Sequence, residues 1–147
     1  MKPLLRRLLA SRHSEAPARL SPALAVAQLL LEIARADEMV QGAELAVVRQ
    51  HLTQAYGLSA AQLDALLIEA KDNVEQATTL YDTVQQVNAH MSPDDKAQLM
   101  QALWQVAYAD GRIDPFEEAL LRRLADLIYV PHSVFIRSKL TVMDGET

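Results

Sequence analysis

Apolar residues recur every three or four positions along most of this 147-residue chain, and this spacing predicts amphipathic α-helices. Runs of alternating β-branched residues do not occur in the sequence, so no strand is predicted. Ser-Pro pairs at residues 21–22 and 92–93 indicate helix starts, because serine caps a helix and proline fits its first position. We predict an all-α fold, a single compact bundle of about seven helices that begin near residues 22, 43, 59, 78, 93, 115 and 132.

The helical spacing also predicts which faces form the core. The first helix is apolar nearly all round, so we place it at the centre of the bundle. The stripes predicted for the second and the sixth helix are Leu45, Val48, Leu52 and Ala55, and Phe116, Leu120, Leu124 and Leu127. Trp104 and Tyr108 share a face of the fifth helix and are expected in the core. Outside this helical domain (residues 21–140), we expect a basic arm over residues 1–20 and a disordered tail over residues 141–147.

An internal repeat relates the two halves of the chain. Residues 34–44 align without a gap with residues 107–117, 73 positions further on. The shared positions hold two alanines, an aspartate, an aliphatic residue and a glutamate. Each copy is expected to form a helix, an acidic loop and a second helix, so we predict two halves related by a pseudo-twofold axis.

The second copy has the residue order of the later half of an EF-hand calcium loop. It reads DGRIDPFE, which gives an aspartate, a glycine, an aliphatic position and a closing glutamate. One half-loop supplies too few ligands for a calcium ion, which takes about six to eight oxygens, whereas two facing half-loops would combine their carboxylates. Because every candidate ligand is a hard oxygen, the expected cation is Ca²⁺ or Mg²⁺. The candidate metal ligands are Asp37, Glu44, Asp110, Asp114 and Glu117.

The same carboxylates have simpler interpretations. Glu117 follows Asp114 by three residues and would close a capping box, and Glu44 lies in a first helical turn, where the helix dipole favours an anion. Asp37 and Asp110 fall near helix C-termini, where a carboxylate costs about 0.3–1 kcal/mol unless something offsets it. A cation, a loop amide or a nearby arginine would each do so. Because both copies place an aspartate near a helix C-terminus, we favour a bound cation as the offset.

Composition narrows the classes of function. The formal charge is −5, and the first 20 residues carry a net +4, so the rest of the chain carries −9 and is a poor surface for nucleic acid. The absence of cysteine excludes disulfides, thiolate zinc sites and cysteine nucleophiles. No apolar run is long enough for a membrane-spanning helix, and Arg6 and Arg7 interrupt the N-terminal leucines, so no secretory signal is expected. We expect a cytoplasmic protein.

The basic arm has two interpretations. Its leucines and arginines could place residues 1–12 on an anionic membrane surface. The arm could instead be a short helix folded onto the domain or a loose tail, and this second interpretation is favoured.

Three segments carry a resemblance to a known family. Residues 34–37 (ARAD), 106–118 (VAYADGRIDPFEE) and 121–133 (LRRLADLIYVPHS) resemble the TerB-like family, relatives of the tellurite-resistance protein TerB. The resemblance covers about residues 22–140, and Glu38 departs from it where the family usually has glycine. It implies an all-helical fold with pseudo-twofold halves, a metal site in the acidic loops, and a link to resistance against tellurite and other stresses. Related domains are fused to J-domain co-chaperones, which would suit an adaptor.

Two functions remain open, with a third ranked low. The first is a module that binds a divalent metal; the second is a metal-free helical adaptor for another protein, near a membrane surface or a chaperone system. The third is metal-assisted hydrolysis, ranked low because no separate base or nucleophile is evident. None of the four histidines has a partner four residues away, as a helical zinc site requires. We therefore expect no enzyme, and a protein partner or a homodimer.

Overall fold

The computed structural model describes residues 22–35, 42–75 and 80–144, and every regular element in these ranges is an α-helix. The helices are α1 (Pro22–Arg35), α2 (Gly42–Tyr56), α3 (Ala60–Glu75), α4 (Leu80–His90), α5 (Pro93–Ala107), α6 (Pro115–Leu127) and α7 (His132–Met143). The predicted all-α bundle of about seven helices is confirmed for this part of the chain. The basic arm and Asp37 lie outside the described residues.

Helix α1 lies at the centre of the bundle, as its all-round apolar sequence predicts. It packs against α2, α3, α4, α5 and α6. Between Leu24 and Ala34 every side chain except that of Glu32 is buried. None of the described helices combines the length and the apolarity that crossing a bilayer requires.

One polar side chain of α1 is buried with the apolar ones. Gln28 is 2% exposed, and its Nε2 donates to Oγ1 of Thr83 on α4 at 2.9 Å. Its Oε1 accepts a hydrogen bond from Nδ2 of Asn73 on α3 at 2.7 Å. Buried polar atoms need such partners, because an unsatisfied one costs about 1–3 kcal/mol. The glutamine therefore fixes the relative position of three helices.

The internal repeat extends over three helices in each half. Helices α1, α2 and α3 correspond to α5, α6 and α7, since α3 packs on α1 and α7 packs on α5. Gly57 (φ 63°) and Tyr129 (φ 61°), 72 positions apart, each follow the second helix of their copy in the left-handed conformation. Leu63 and Phe135, also 72 apart, are both buried on the third helix. Helix α4 lies outside the repeat and packs on α1.

The predicted core stripes of α2 and α6 begin one residue out of register. Leu45 and Phe116 were expected in the core but are 37% and 61% exposed, while Glu44 and Glu117 beside them are buried. Ala55 and Leu127 are also exposed, and Leu120 is half-buried. The buried stripes contain Glu44, Val48 and Leu52 on α2 and the equivalent Glu117, Leu121 and Ala125 on α6. A pattern that counts glutamate as a surface residue cannot place this stripe.

Local hydrogen bonds explain where several helices begin. Oγ of Ser59 accepts from the Gln62 amide at 3.1 Å, and Oε1 of Gln62 accepts from the Ser59 amide at 2.9 Å, which is a capping box before α3. Ser92 and Asp95 form the same box before α5. These caps satisfy amides that a helix cannot pair internally.

Tyr129 ends α6 in a Schellman motif. The Val130 amide donates to the carbonyl of Ala125 at 2.8 Å, and the Tyr129 amide donates to that of Asp126 at 3.2 Å. The motif requires a positive φ at Tyr129, a conformation in which glycine is the usual residue.

The last helix is longer than expected. It continues to Met143, so residues 141–143, which we expected to belong to the tail, are helical. Oγ1 of Thr141 donates to the Arg137 carbonyl at 2.9 Å, and Val142 packs partly buried against the core. These contacts stabilise a turn whose sequence alone gives a weak helical signal.

Candidate functional site

The acidic loop between α5 and α6 is closed by backbone hydrogen bonds. The amide of Tyr108 donates to the Trp104 carbonyl, and the amide of Gly111 donates to the Tyr108 carbonyl, each at 2.9 Å. Gly111 has a φ of 91°, which an L-residue rarely adopts, so the glycine of the DGRIDPFE segment is needed for the turn. Trp104 is fully buried, as predicted, whereas Tyr108 is half-buried.

Asp110 lies on the exposed side of this loop. Its Oδ1 accepts a hydrogen bond from the Arg112 amide at 3.1 Å. This contact is one of the three offsets that the sequence left open for a carboxylate near a helix C-terminus, namely a loop amide. The loop itself therefore offsets the unfavourable position of the Asp110 carboxylate near a helix C-terminus.

Glu117 is the buried carboxylate of the loop. It is 2% exposed, and its Oε1 accepts from the Asp114 amide at 3.3 Å, which is the glutamate half of a capping box. Proline at position 115 begins the helix without needing an amide partner. The capping interpretation of Glu117 is thus realised.

Three of the candidate carboxylates line one cavity of about 440 Å³. The cavity is lined by Asp110, Arg112, Ile113, Asp114, Pro115 and Glu117. Glu44, the equivalent of Glu117 in the first copy, is 1% exposed in the first turn of α2. Within residues 22–35, 42–75 and 80–144, no three histidine, aspartate or glutamate side chains form a group that could hold a metal ion. Asp37 is not among these residues, so the five-residue ligand set stays a prediction.

A second concave region, which the sequence did not predict, lies between α2 and α5. One cavity of about 180 Å³ is lined by Pro22, Val26, His51, Ala55, Tyr56, His90, Met91, Asp95, Gln98 and Leu99. A neighbouring cavity of about 300 Å³ is lined by His51, Gln54, Ala55, Gln98, Gln101, Ala102 and Gln105. Because the two share His51, Ala55 and Gln98, they form one elongated groove, which we call the α2–α5 groove.

Burial and charge perturb two titratable groups in this groove. Burial lowers the pKa of His51, because desolvation disfavours the imidazolium. Burial, with a smaller contribution from the negative charge of Asp95, raises the pKa of Tyr56. Both shifts favour the uncharged form, so at neutral pH the His51 imidazole and the Tyr56 phenol are neutral. The glutamines at positions 98, 101 and 105, spaced by three and four residues, are the only sequence signal for this surface.

The fold and the acidic loop define a class of protein: an all-helical domain built from two related three-helix units, each with a buried glutamate at the start of its second helix. The family model described as "Tellurite resistance protein TerB" matches residues 23–140. The chain therefore belongs to the TerB family, as the resemblance of its acidic segments predicts. Neither the curated proteins nor the solved structures contain a match to this chain.

Proposed function

We propose that this TerB-family domain binds a divalent cation, Ca²⁺ or Mg²⁺, through its acidic turns. The observation that supports the proposal is the cavity beside α6, where three carboxylates stand in the order of a calcium half-loop. Carboxylate oxygens are the hard ligands that both ions take, and the chain offers no sulfur ligand from cysteine. The donor chemistry therefore fits a hard cation better than a soft one.

In this proposal the five carboxylates have different roles. Asp110 and Asp114 are exposed and would meet the ion from the solvent side, and Glu117 is buried and would hold it to α6. Because these three do not by themselves form a group that could hold a metal ion, the proposal requires further oxygens from Asp37 and Glu44 of the first copy. The cation would neutralise carboxylates that the dipole of a helix C-terminus disfavours, so its first effect would be on stability. We propose no catalytic step, in keeping with the expectation that the protein is not an enzyme.

Arg112 offers a second test of the proposal, because this residue lines the same cavity as the carboxylates. A guanidinium remains charged at all practical pH values and would repel a cation nearby. We therefore expect Arg112→Ala to strengthen cation binding. If the acidic loop had only a structural role, the stability of this variant would not respond to the ion.

The test is thermal unfolding of chelator-stripped protein, repeated with Ca²⁺, Mg²⁺, Mn²⁺ and Zn²⁺. An ion present at about 100 times its dissociation constant stabilises a fold by about 2.7 kcal/mol. Asp110→Asn should abolish the response while helical content is retained. Asp126→Asn, an exposed aspartate on α6 that does not line the cavity, is the matched control and should respond like the wild type. A full response in Asp110→Asn, or no response to any ion in the wild type, would reject the metal site.

The adaptor function stays a second prediction. It requires a contiguous exposed apolar surface. Among the described residues, the large apolar side chains with more than half of their surface exposed are Ile68 on α3, Tyr81 on α4, Phe116 on α6, Tyr129 between α6 and α7, and Leu140 on α7. Several further expectations remain predictions. They are a protein partner or a homodimer, membrane contact through residues 1–12, a connection to a chaperone system, and a role in tellurite or other stress resistance. A pull-down that depends on Phe116 or Tyr129 would favour the adaptor.

A further inference from the structure

The α2–α5 groove combines an apolar floor with one charged group. Val26 of α1 and Leu99 of α5 are buried at its base, and Met91 is half-buried at one end. Asp95 supplies the single carboxylate, and the other polar groups along the lining are imidazoles, a phenol and glutamine amides. Among the described residues that line the two cavities, none is a lysine or an arginine. The groove is therefore negative at one end and uncharged along its length.

The positive N-terminal end of α5 does not cancel the negative charge of the groove. A helix N-terminus carries about half a positive elementary charge. Asp94 and Asp95 both lie in that first turn, so their two carboxylates exceed the helix charge. The Asp95 carboxylate also acts on the groove, because its charge contributes to the raised pKa of Tyr56.

We propose that the α2–α5 groove binds a linear aliphatic ammonium, with the ammonium group beside Asp95 and the hydrocarbon stem along Val26, Met91 and Leu99. An ammonium has three donors and no acceptor, so it suits a carboxylate, an imidazole nitrogen and amide oxygens. The stem buries its methylenes on the apolar floor, and removing apolar surface from water favours binding. Val26, Met91 and Leu99 line the same cavity as Asp95, so a stem and an ammonium group can be held there together, which suits an alkylammonium better than a compact ion.

The shared chemistry has two sources, a free aliphatic amine and the lysine side chain of a protein. The 147-residue chain is titrated calorimetrically with n-pentylamine and, separately, with Nα-acetyl-lysine methylamide. Binding of pentylamine alone supports a free amine as the ligand, and comparable binding of the lysine derivative supports a lysine side chain. Binding of neither overturns the proposal. The uncharged n-pentanol has the same stem and should not bind; equal binding of the alcohol would also overturn the proposal.

Two pairs of variants place the binding in the groove. Asp95→Asn keeps a side-chain acceptor for the Ser92 amide but removes the charge, and we expect affinity to fall about tenfold, equivalent to about 1.4 kcal/mol. Asp94→Asn makes the same charge change on the neighbouring residue, which does not line the groove, and should lower affinity less than twofold. An equal loss in both variants would indicate general attraction to an acidic surface and would overturn the proposal.

The second pair tests shape. Ala55 is exposed and lines both cavities, so Ala55→Met should block the groove without disturbing the core and should abolish amine binding. Ala46→Met, also exposed on α2 but outside the groove, should leave it unchanged. Unaltered binding in Ala55→Met would place the amine elsewhere. The proposal is independent of the metal site, since Asp110→Asn should bind the amine as the wild type does.

Discussion

Replacing Gln28 with leucine tests whether the buried amide holds α1, α3 and α4 together. Leucine is close to glutamine in size and removes both hydrogen bonds, one to Thr83 and one from Asn73. Thr83 is 3% exposed, so water cannot easily replace its lost partner, whereas Asn73 is only half-buried. A buried polar group that loses its partner costs about 1–3 kcal/mol.

The net loss in the free energy of unfolding depends on the interactions that Thr83 and Asn73 retain in the variant. Thr83 retains another interaction, and Asn73 can reach water, so the loss should fall in the lower part of this range. Leucine also adds favourable apolar contacts in the core. We therefore expect Gln28→Leu to lower the free energy of unfolding by about 1–2 kcal/mol. For a chain of this length the midpoint of thermal unfolding should fall by roughly 4 °C per kcal/mol.

The assay is urea unfolding followed by circular dichroism, with the double variant Gln28→Leu/Thr83→Val as the decisive sample. Valine has the shape of threonine, and replacing both partners by apolar groups can be nearly neutral. The double variant should therefore lose less than the sum of the two single variants. Gln50→Leu, on the exposed face of α2, is the control and should change stability by no more than about 0.5 kcal/mol. Additive losses, or a Gln28→Leu variant as stable as the wild type, would refute the reasoning.

Three further predictions concern single positions. Tyr129→Gly should be more stable than Tyr129→Ala by about 0.5–1 kcal/mol in thermal unfolding, because the left-handed conformation penalises alanine; the opposite order would contradict the strain at φ 61°. The lowered pKa of His51 means that the unfolded chain binds a proton more readily, so the free energy of unfolding should fall as pH decreases from 6.5. His51→Gln should flatten this dependence in urea titrations between pH 7 and pH 5, and an unchanged dependence would contradict the effect of burial on this imidazole. Ser92→Ala should cost about 1 kcal/mol, because the Asp95 amide loses its cap; an unchanged midpoint would disprove the capping contribution.

Much of the fold follows from hydrophobic periodicity and helix punctuation. The Ser-Pro pair at residues 92–93 and the Ser59 box mark helix starts that the structure confirms. Periodicity fails at α2 and α6, where Glu44 and Glu117 are buried beside exposed apolar neighbours. The reason is physical: a carboxylate at a first helical turn can be satisfied by local amides and by the dipole, so burial costs less there than the residue type suggests.

The two candidate sites differ in how much of each could be predicted from the sequence. The loop after α5 is continuous in sequence, so Asp110, Asp114 and Glu117 could be grouped before the structure was known. The α2–α5 groove is assembled from four helices and could not, because no local spacing links Val26 with His51 or Asp95. Tertiary packing alone brings such residues together.

The two halves of the domain pack against each other as the two subunits of a homodimer would. Helices α1 and α5 occupy the same position in their copies and pack against each other, so the central contact joins two versions of one element. In a symmetric dimer such an isologous contact must change on both sides at once, since one gene encodes both partners. Within one chain that constraint is lifted. Each copy can vary alone: the left-handed residue that follows the second helix is glycine at position 57 and tyrosine at position 129.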